Sequence, residues 1–261
     1  MIENSILDFN IIYSRYETLF DEVKNKIFNA NEDDEIISLI RLQDSFVKFD
    51  AKLRLGMAIQ EISLNENFVN RKYDELKLCH LLLYKLSDIW FAYEAYFILH
   101  KKALNSDITN LKIQWLDKST NSDYFNDEKI KNSLYEANNN LQSNFNSIHK
   151  INSLKDYLIY CRDLAKGGQK NRLDSIITKL NNRNNLPNFT HLELLTITYS
   201  IRNNFVHNGE ITIYPENFNY IYKKELLLSL YKYIVIITIQ IAVITIEKSL
   251  LSPNLDETDE S

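Results

Sequence analysis

Apolar residues recur every three or four positions along most of the chain, the spacing of amphipathic helices. Ile6, Phe9, Ile12, Tyr13, Tyr16, Leu19, Phe20, Val23 and Ile27 follow it, predicting a helical region over 1–29. An acidic break at 31–35 offers Asn and Asp residues that can cap the next helix. Residues 36–66 read as a second helical region and 76–102 as a third, strongly apolar one. The pattern is mixed over 105–125, where Asn105, Ser106, Asn121, Ser122 and Asp123 suggest loops. A polar helix is expected over 128–149. Another is expected over 154–165, with Gly167-Gly168 as its C-terminal cap, and a short one over 172–180 before an Asn-rich loop at 181–189. Thr190 and Glu193 form the S/T-x-x-E capping box, and Gly209 is a stop, so 191–208 reads as one buried helix. Tyr214-Pro215 then turns the chain into a last helix over about 216–251.

Composition narrows the class. Four glycines and three prolines in 261 residues disfavour all-β folds, Rossmann folds and phosphate loops, which lean on glycine-rich turns. With 45% apolar residues the chain can bury a substantial core, and the fold class is all-α, a helical bundle. The net charge is −5, of which Asp256, Glu257, Asp259 and Glu260 supply four, so an acidic tail at 252–261 follows a nearly neutral body. Cys79 and Cys161 make no disulfide framework, and His80, His100, His149 and His191 show no ligand spacing, so no metal or cofactor is expected. Met1-Ile-Glu-Asn has no basic or apolar leader segment, and a cytoplasmic location is expected. From Tyr233 to Ile246 the chain is nearly all apolar, but this run is short of the ~20 residues that a bilayer needs. A core helix and no membrane association is the better reading.

The helix over 191–208 carries two residues that do not belong in a core, Arg202 and His207. A guanidinium among Leu195, Tyr199 and Val206 is costly unless it is paired or opens on a cleft. Five residues advance ~500° round a helix, so the two side chains diverge by ~140° and should not grip one atom from a straight helix. They could flank a phosphate if the helix unwinds at Asn208-Gly209, or if a second copy of the helix supplies the complement across a two-fold axis. Histidine is the side chain able to take or give a proton near neutrality, and arginine offers a permanent charge to phosphate oxygens. Together they suit RNA cleavage through the 2′-hydroxyl. Two plainer readings stand beside this: Arg202 as an ion pair with Glu94, and His207 as a helix cap.

The segment Ile201-Arg-Asn-Asn-Phe-Val-His207-Asn-Gly209 resembles the signature of the HEPN family, an Arg, a following polar residue and a His in the penultimate helix of an all-α domain. Ile89-Trp-Phe-Ala-Tyr-Glu94-Ala-Tyr-Phe-Ile-Leu99 is similar to the early HEPN helix, in which a polar residue interrupts an apolar run. The resemblance covers about 76–251, with 105–150 as an insert, and leaves 1–75 as an N-terminal helical extension. It implies a metal-independent endoribonuclease acting on RNA, of the toxin–antitoxin or anti-phage kind. Arg202 would stabilise phosphate charge, His207 would act as acid or base, Asn203 would position substrate or the His, and Glu94 would support Arg202. It also implies a homodimer with a composite site, and an antitoxin or other regulatory protein as a possible partner. Some HEPN branches are noncatalytic, which leaves a protein- or RNA-binding module as the alternative.

Between Lys150 and Arg183 eight bases face three acids. Lys166-Gly-Gly-Gln-Lys170-Asn-Arg172 reads as a flexible basic loop able to follow a phosphate backbone, with Lys166, Lys170 and Arg172 as RNA contacts. A solvated helix face that happens to be basic is the competing reading.

Overall fold

The computed structural model describes residues 2–65, 67, 73–106, 112–181, 183–209 and 220–251. Among them there is no strand, and the fold is all-α. A 3-10 turn at Glu3–Ser5 leads into α1 (Phe9–Asn29), α2 (Asp33–Ala58) and α3 (Tyr73–Leu104). The short α4 (Ser122–Phe125) precedes α5 (Glu128–Asn144), α6 (Ile148–Leu164), α7 (Gly167–Leu180), α8 (His191–His207) and α9 (Tyr220–Leu251). The acidic tail and Tyr214-Pro215 lie outside the described residues.

Helix α9 is the axis of the core. Its side chains are apolar on every face, so it is stable only when surrounded, and α1, α3 and α5 pack along it. It is long and apolar enough to cross a membrane by length and composition, more than the run from Tyr233 to Ile246 suggests, yet 83% of its apolar window is buried by the other helices. Burying a Leu or Ile side chain contributes about 1.5–3 kcal/mol, and Leu226, Leu227, Leu230, Ile234, Ile237, Ile241 and Ile246 are all fully buried here. Some polar groups of α9 are matched, while Thr238 Oγ1 and Gln240 Oε1 are buried without a hydrogen-bond partner among the described residues. Thr245 Oγ1 meets the hydroxyls of Tyr96 at 2.9 Å and Tyr124 at 3.0 Å. Gln240 donates to Asp127 Oδ2, while Oδ1 of the same Asp127 caps the start of α5.

The N-terminal turn enters the same core. Glu3 and Lys85 are both buried and lie 2.8 Å apart. Lys85 Nζ also donates to the carbonyls of Met57 and Ile59 at the end of α2, so its three donors are used. Tyr231 donates to the same Glu3 oxygen from α9. Burial alone would raise the Glu3 carboxyl. The hydrogen bonds from Lys85 and Tyr231 and the charge of Lys85 outweigh it and hold the group below its ordinary value. Gly56 lets α2 approach α3: a Cβ there would stand 2.7 Å from Ile89 Cδ1.

Element boundaries depart from the sequence reading in two instructive places. The second helical region stops at Ala58, not near 66, because the chain there delivers its last carbonyls to Lys85. Gly167-Gly168 does not cap the preceding helix. Ala165 closes α6 through its own N–H to the Arg162 carbonyl, and Gly167, at φ +55°, makes the left-handed turn that opens α7.

Candidate functional site

Helix α8 is fixed at its start. Thr190 Oγ1 accepts from the Glu193 N–H and Glu193 accepts from the Thr190 N–H, the expected capping box. Lys179 pairs with Glu193 at 2.7 Å, and Asp117 Oδ2 accepts from the Leu192 N–H. Leu194, Leu195, Ile197 and Ile201 are fully buried. Helix α8 runs antiparallel to α3, with Tyr199 against Trp90 at 5.4 Å and Phe205 edge-on to Tyr84 at 5.1 Å. Tyr199 also borders the other flank, which carries Ser200, Asn203, Asn204, His207 and Asn208, so polar side chains recur there as a stripe at i, i+4 and i+8 spacing.

That stripe lines a cleft of about 270 Å³, closed on the far side by the end of α6 and the first turn of α7. His207 is exposed at its rim. Arg202 lies behind the stripe at 8% exposure. Its Nη1 donates to Asn203 Oδ1 at 2.9 Å and to His207 Nε2 at 3.0 Å, and its guanidinium carbon stands 4.5 Å from the centre of the Phe91 ring. Arginine has only donors, so Nε2 is the accepting nitrogen and the ring proton belongs on Nδ1.

The ~140° divergence expected of the pair is therefore bridged within one chain. That angle describes the Cβ directions, and the long arginine side chain folds round the last turn to reach the ring. The helix ends at His207, with Asn208 as C-cap and Gly209 at φ +63°.

No carboxylate pairs with Arg202 among the described residues. Glu94, the expected partner, instead faces Lys112 at 3.7 Å. The register explains this: α3 presents Phe91 to Arg202, and Glu94 sits a turn further along, toward residue 112. Nε of Arg202 is buried without a hydrogen-bond partner among the described residues. Burying a guanidinium without a counter-ion is costly. The Phe91 face returns about 2 kcal/mol at best, and the two hydrogen bonds from the charged guanidinium contribute about 1.5–3 kcal/mol each.

The basic segment is not a loop. Residues 167–172 form the first turns of α7. Lys166, its N-cap residue, is exposed and lines the cleft. Lys170 is exposed on α7. Arg172 is half-buried and donates to Gln169 Oε1 at 2.7 Å, and burial holds its guanidinium below the ordinary value. Gln169 in turn donates to the Thr196 carbonyl of α8. Arg162 and Lys179 are spent on Asp163, Asp174 and Glu193. Sequence reasoning missed Phe91 and Tyr199. The i, i+4, i+8 polar stripe would have placed Tyr199 in the cleft, but only the α3–α8 register places Phe91.

The fold and the site thus define an all-α protein with an Arg–His pair at a polar cleft. Comparison with family models, curated proteins and solved structures gives no match.

Proposed function

We propose that this chain is a metal-independent endoribonuclease of HEPN type, working in the cytoplasm as a toxin or anti-phage effector under the restraint of an antitoxin or regulatory protein. The observation that carries the reading is Arg202: a buried guanidinium with no carboxylate partner among the described residues, hydrogen-bonded to an exposed histidine beside a cleft. A missing anion at such a place is the role a phosphodiester would fill.

The chemistry follows from the hydrogen bonds. A phosphate oxygen is a stronger acceptor for a guanidinium than a neutral imidazole, because it carries negative charge and a phosphate can take two parallel N–H bonds from the fork. An arriving phosphodiester therefore draws Arg202 away from Nε2, and the freed lone pair takes the proton of the 2′-hydroxyl. The 2′-oxygen attacks phosphorus, the P–O5′ bond breaks, and a 2′,3′-cyclic phosphate and a 5′-hydroxyl result. The leaving 5′-oxygen takes its proton from an imidazolium, which a two-fold copy of α8 in a homodimer would supply. Asn203 holds Arg202 in place through Oδ1, and Lys166, Lys170 and Arg172 add positive charge along α7.

The test uses purified full-length protein with labelled RNA and DNA of one sequence, with and without EDTA. RNA alone is cut, EDTA has no effect, and His207→Ala or Arg202→Ala each lowers the rate about 100-fold or more. Cleavage by His207→Ala at the wild-type rate, or cleavage abolished by EDTA, would overturn the reading.

A further inference from the structure

We infer that Arg172 seats the phosphate next to the scissile one, with Gln169 as its positioning residue, so that the preferred substrate carries a second phosphate one nucleotide away from the cut. This rests on the ribonuclease reading and adds the substrate class.

Two arginines share one unusual arrangement. Arg202 donates from Nη1 to the side-chain oxygen of Asn203, and its Nε is buried without a hydrogen-bond partner among the described residues. Arg172 donates from Nη2 to the side-chain oxygen of Gln169 at 2.7 Å, and its Nε is buried without a partner in the same way. No carboxylate pairs with either among the described residues. Other arginines of the fold are neutralised: Arg15 by Glu22 and Glu247, Arg54 by Asp50, and Arg162 by Asp163 and Asp174. Burial disfavours the charge on Arg172, and the Tyr199 phenol stands near enough to interact with it.

The two guanidiniums belong to one neighbourhood. Gln169, which holds Arg172, donates to the Thr196 carbonyl and to Ser200 Oγ, so this arginine of α7 is tied to α8. Those anchors lie ~3–9 Å from Arg202 along the helix axis. Gln169 and Tyr199 both line the cleft, and the half-buried Arg172 adjoins both. Arg172 Nη1 is 3.3 Å from where a Cβ on Gly168 would stand, so the guanidinium rests on the first turn of α7. That turn is the positive end of the helix, where a further positive charge is unfavourable until an anion joins it. A nucleic-acid strand sets its phosphates ~3.4 Å apart along a duplex axis and farther apart when stretched, so neighbouring phosphates of one strand fall within the spacing of the two anchors. Each arginine offers a planar fork of donors, which takes phosphate oxygens in pairs. Lys170 is exposed and lacks such support, so it contributes only diffuse charge.

The test compares substrates on one protein preparation, so that partial misfolding of a variant cancels from the ratio. The wild-type protein cuts a ribodinucleoside monophosphate, which has the scissile phosphate alone, and the same compound with a phosphate added at its 5′ or its 3′ end. One of the two additions is expected to raise kcat/KM by about 10-fold or more. That gain is expected to disappear in Arg172→Met and in Gln169→Leu, to return in part in Arg172→Lys, and to persist in Lys170→Met. The second arm needs no cutting: calorimetry measures binding of the matching deoxyribonucleotides, and the same added phosphate is expected to tighten binding about 10-fold in wild type and not in Arg172→Met. No gain from either phosphate, or a gain that survives Arg172→Met or Gln169→Leu, would overturn the inference, while loss of cutting in His207→Ala would still uphold the nuclease. A gain in binding that Arg172→Met removes, in a protein that cuts nothing, would uphold the phosphate seat and sink the nuclease.

Discussion

Replacing Lys85 by methionine tests how the N-terminal turn is held. Lys85 and Glu3 are 1% and 3% exposed, and the ammonium serves Glu3 and the carbonyls of Met57 and Ile59. Lys85→Met keeps the length of the side chain but strands a carboxylate in the core and orphans two carbonyls. Removing one partner of a buried pair costs about 3–5 kcal/mol. For a chain of this size each kcal/mol lowers the melting temperature by about 2–4 °C, so the expected drop is about 6–20 °C by calorimetry. Glu3→Leu combined with Lys85→Met should recover most of it, since a buried pair replaced whole by apolar groups is often neutral. The Met57 and Ile59 carbonyls stay unpaired, so recovery is incomplete. The pH dependence has a definite sign. Glu3 lies below its ordinary value of 4.5, so its contribution is full above that pH and fades as the pH falls through the lowered native value. Without Lys85 the burial is less opposed, the carboxyl rises, and Lys85→Met loses less than wild type on acidification. The gap between the two should narrow from about pH 6 toward about pH 4. A Lys85→Met protein within about 1 kcal/mol of wild type would refute the reasoning.

Three further outcomes are expected. His100 and His191 are buried and held down to about 4, from 6.5, chiefly by burial. Each contributes stability that is full above pH 6.5 and lost by about 3 kcal/mol as the pH falls to their native values. His191→Phe should flatten the urea-midpoint slope between about pH 6.5 and 4, and an unchanged slope would contradict this. Gly56→Ala brings a methyl against Ile89 Cδ1 at 2.7 Å and the Ile89 backbone nitrogen at 3.0 Å, so a loss of about 1–3 kcal/mol is expected in denaturant titration, and none would mean that the α2–α3 contact yields freely. Arg202→Lys keeps the charge but loses the fork that reaches His207 and lies over Phe91. RNA cleavage should fall about 100-fold or more with the helical circular-dichroism signal intact, and full activity would argue that only the charge matters.

What the sequence disclosed depended on whether the signal was local. The capping box at Thr190, the stop at Gly209 and the apolar periods of α1, α3 and α9 all rest on neighbours within a turn or two, and the helices form where those patterns stand. Arg202 and His207 stood out because charge and a titratable ring interrupt an apolar helix. The partner of Arg202 depended on the register between α3 and α8, which no local pattern encodes, and so Phe91 occupies the place expected of Glu94. Gly167-Gly168 was ambiguous for a different reason. A left-handed glycine serves the end of one helix or the start of the next equally well, and here Ala165 had already closed α6.

The absence of Glu94 from the side of Arg202 strengthens the case for chemistry. A carboxylate there would neutralise the guanidinium, complete a structural ion pair and leave no reason for an anion to enter. Phe91 supports the cation through its ring face without cancelling its charge, and Asn203 and His207 accept its hydrogens without adding a negative one. Exchanging the ring for a carboxylate separates the two roles. Phe91→Glu should pair with Arg202 and cost the fold little, yet abolish RNA cleavage by occupying the place of the phosphate. A Phe91→Glu protein that melts like wild type and still cuts RNA would mean that Arg202 serves the packing of α8 on α3 and nothing more.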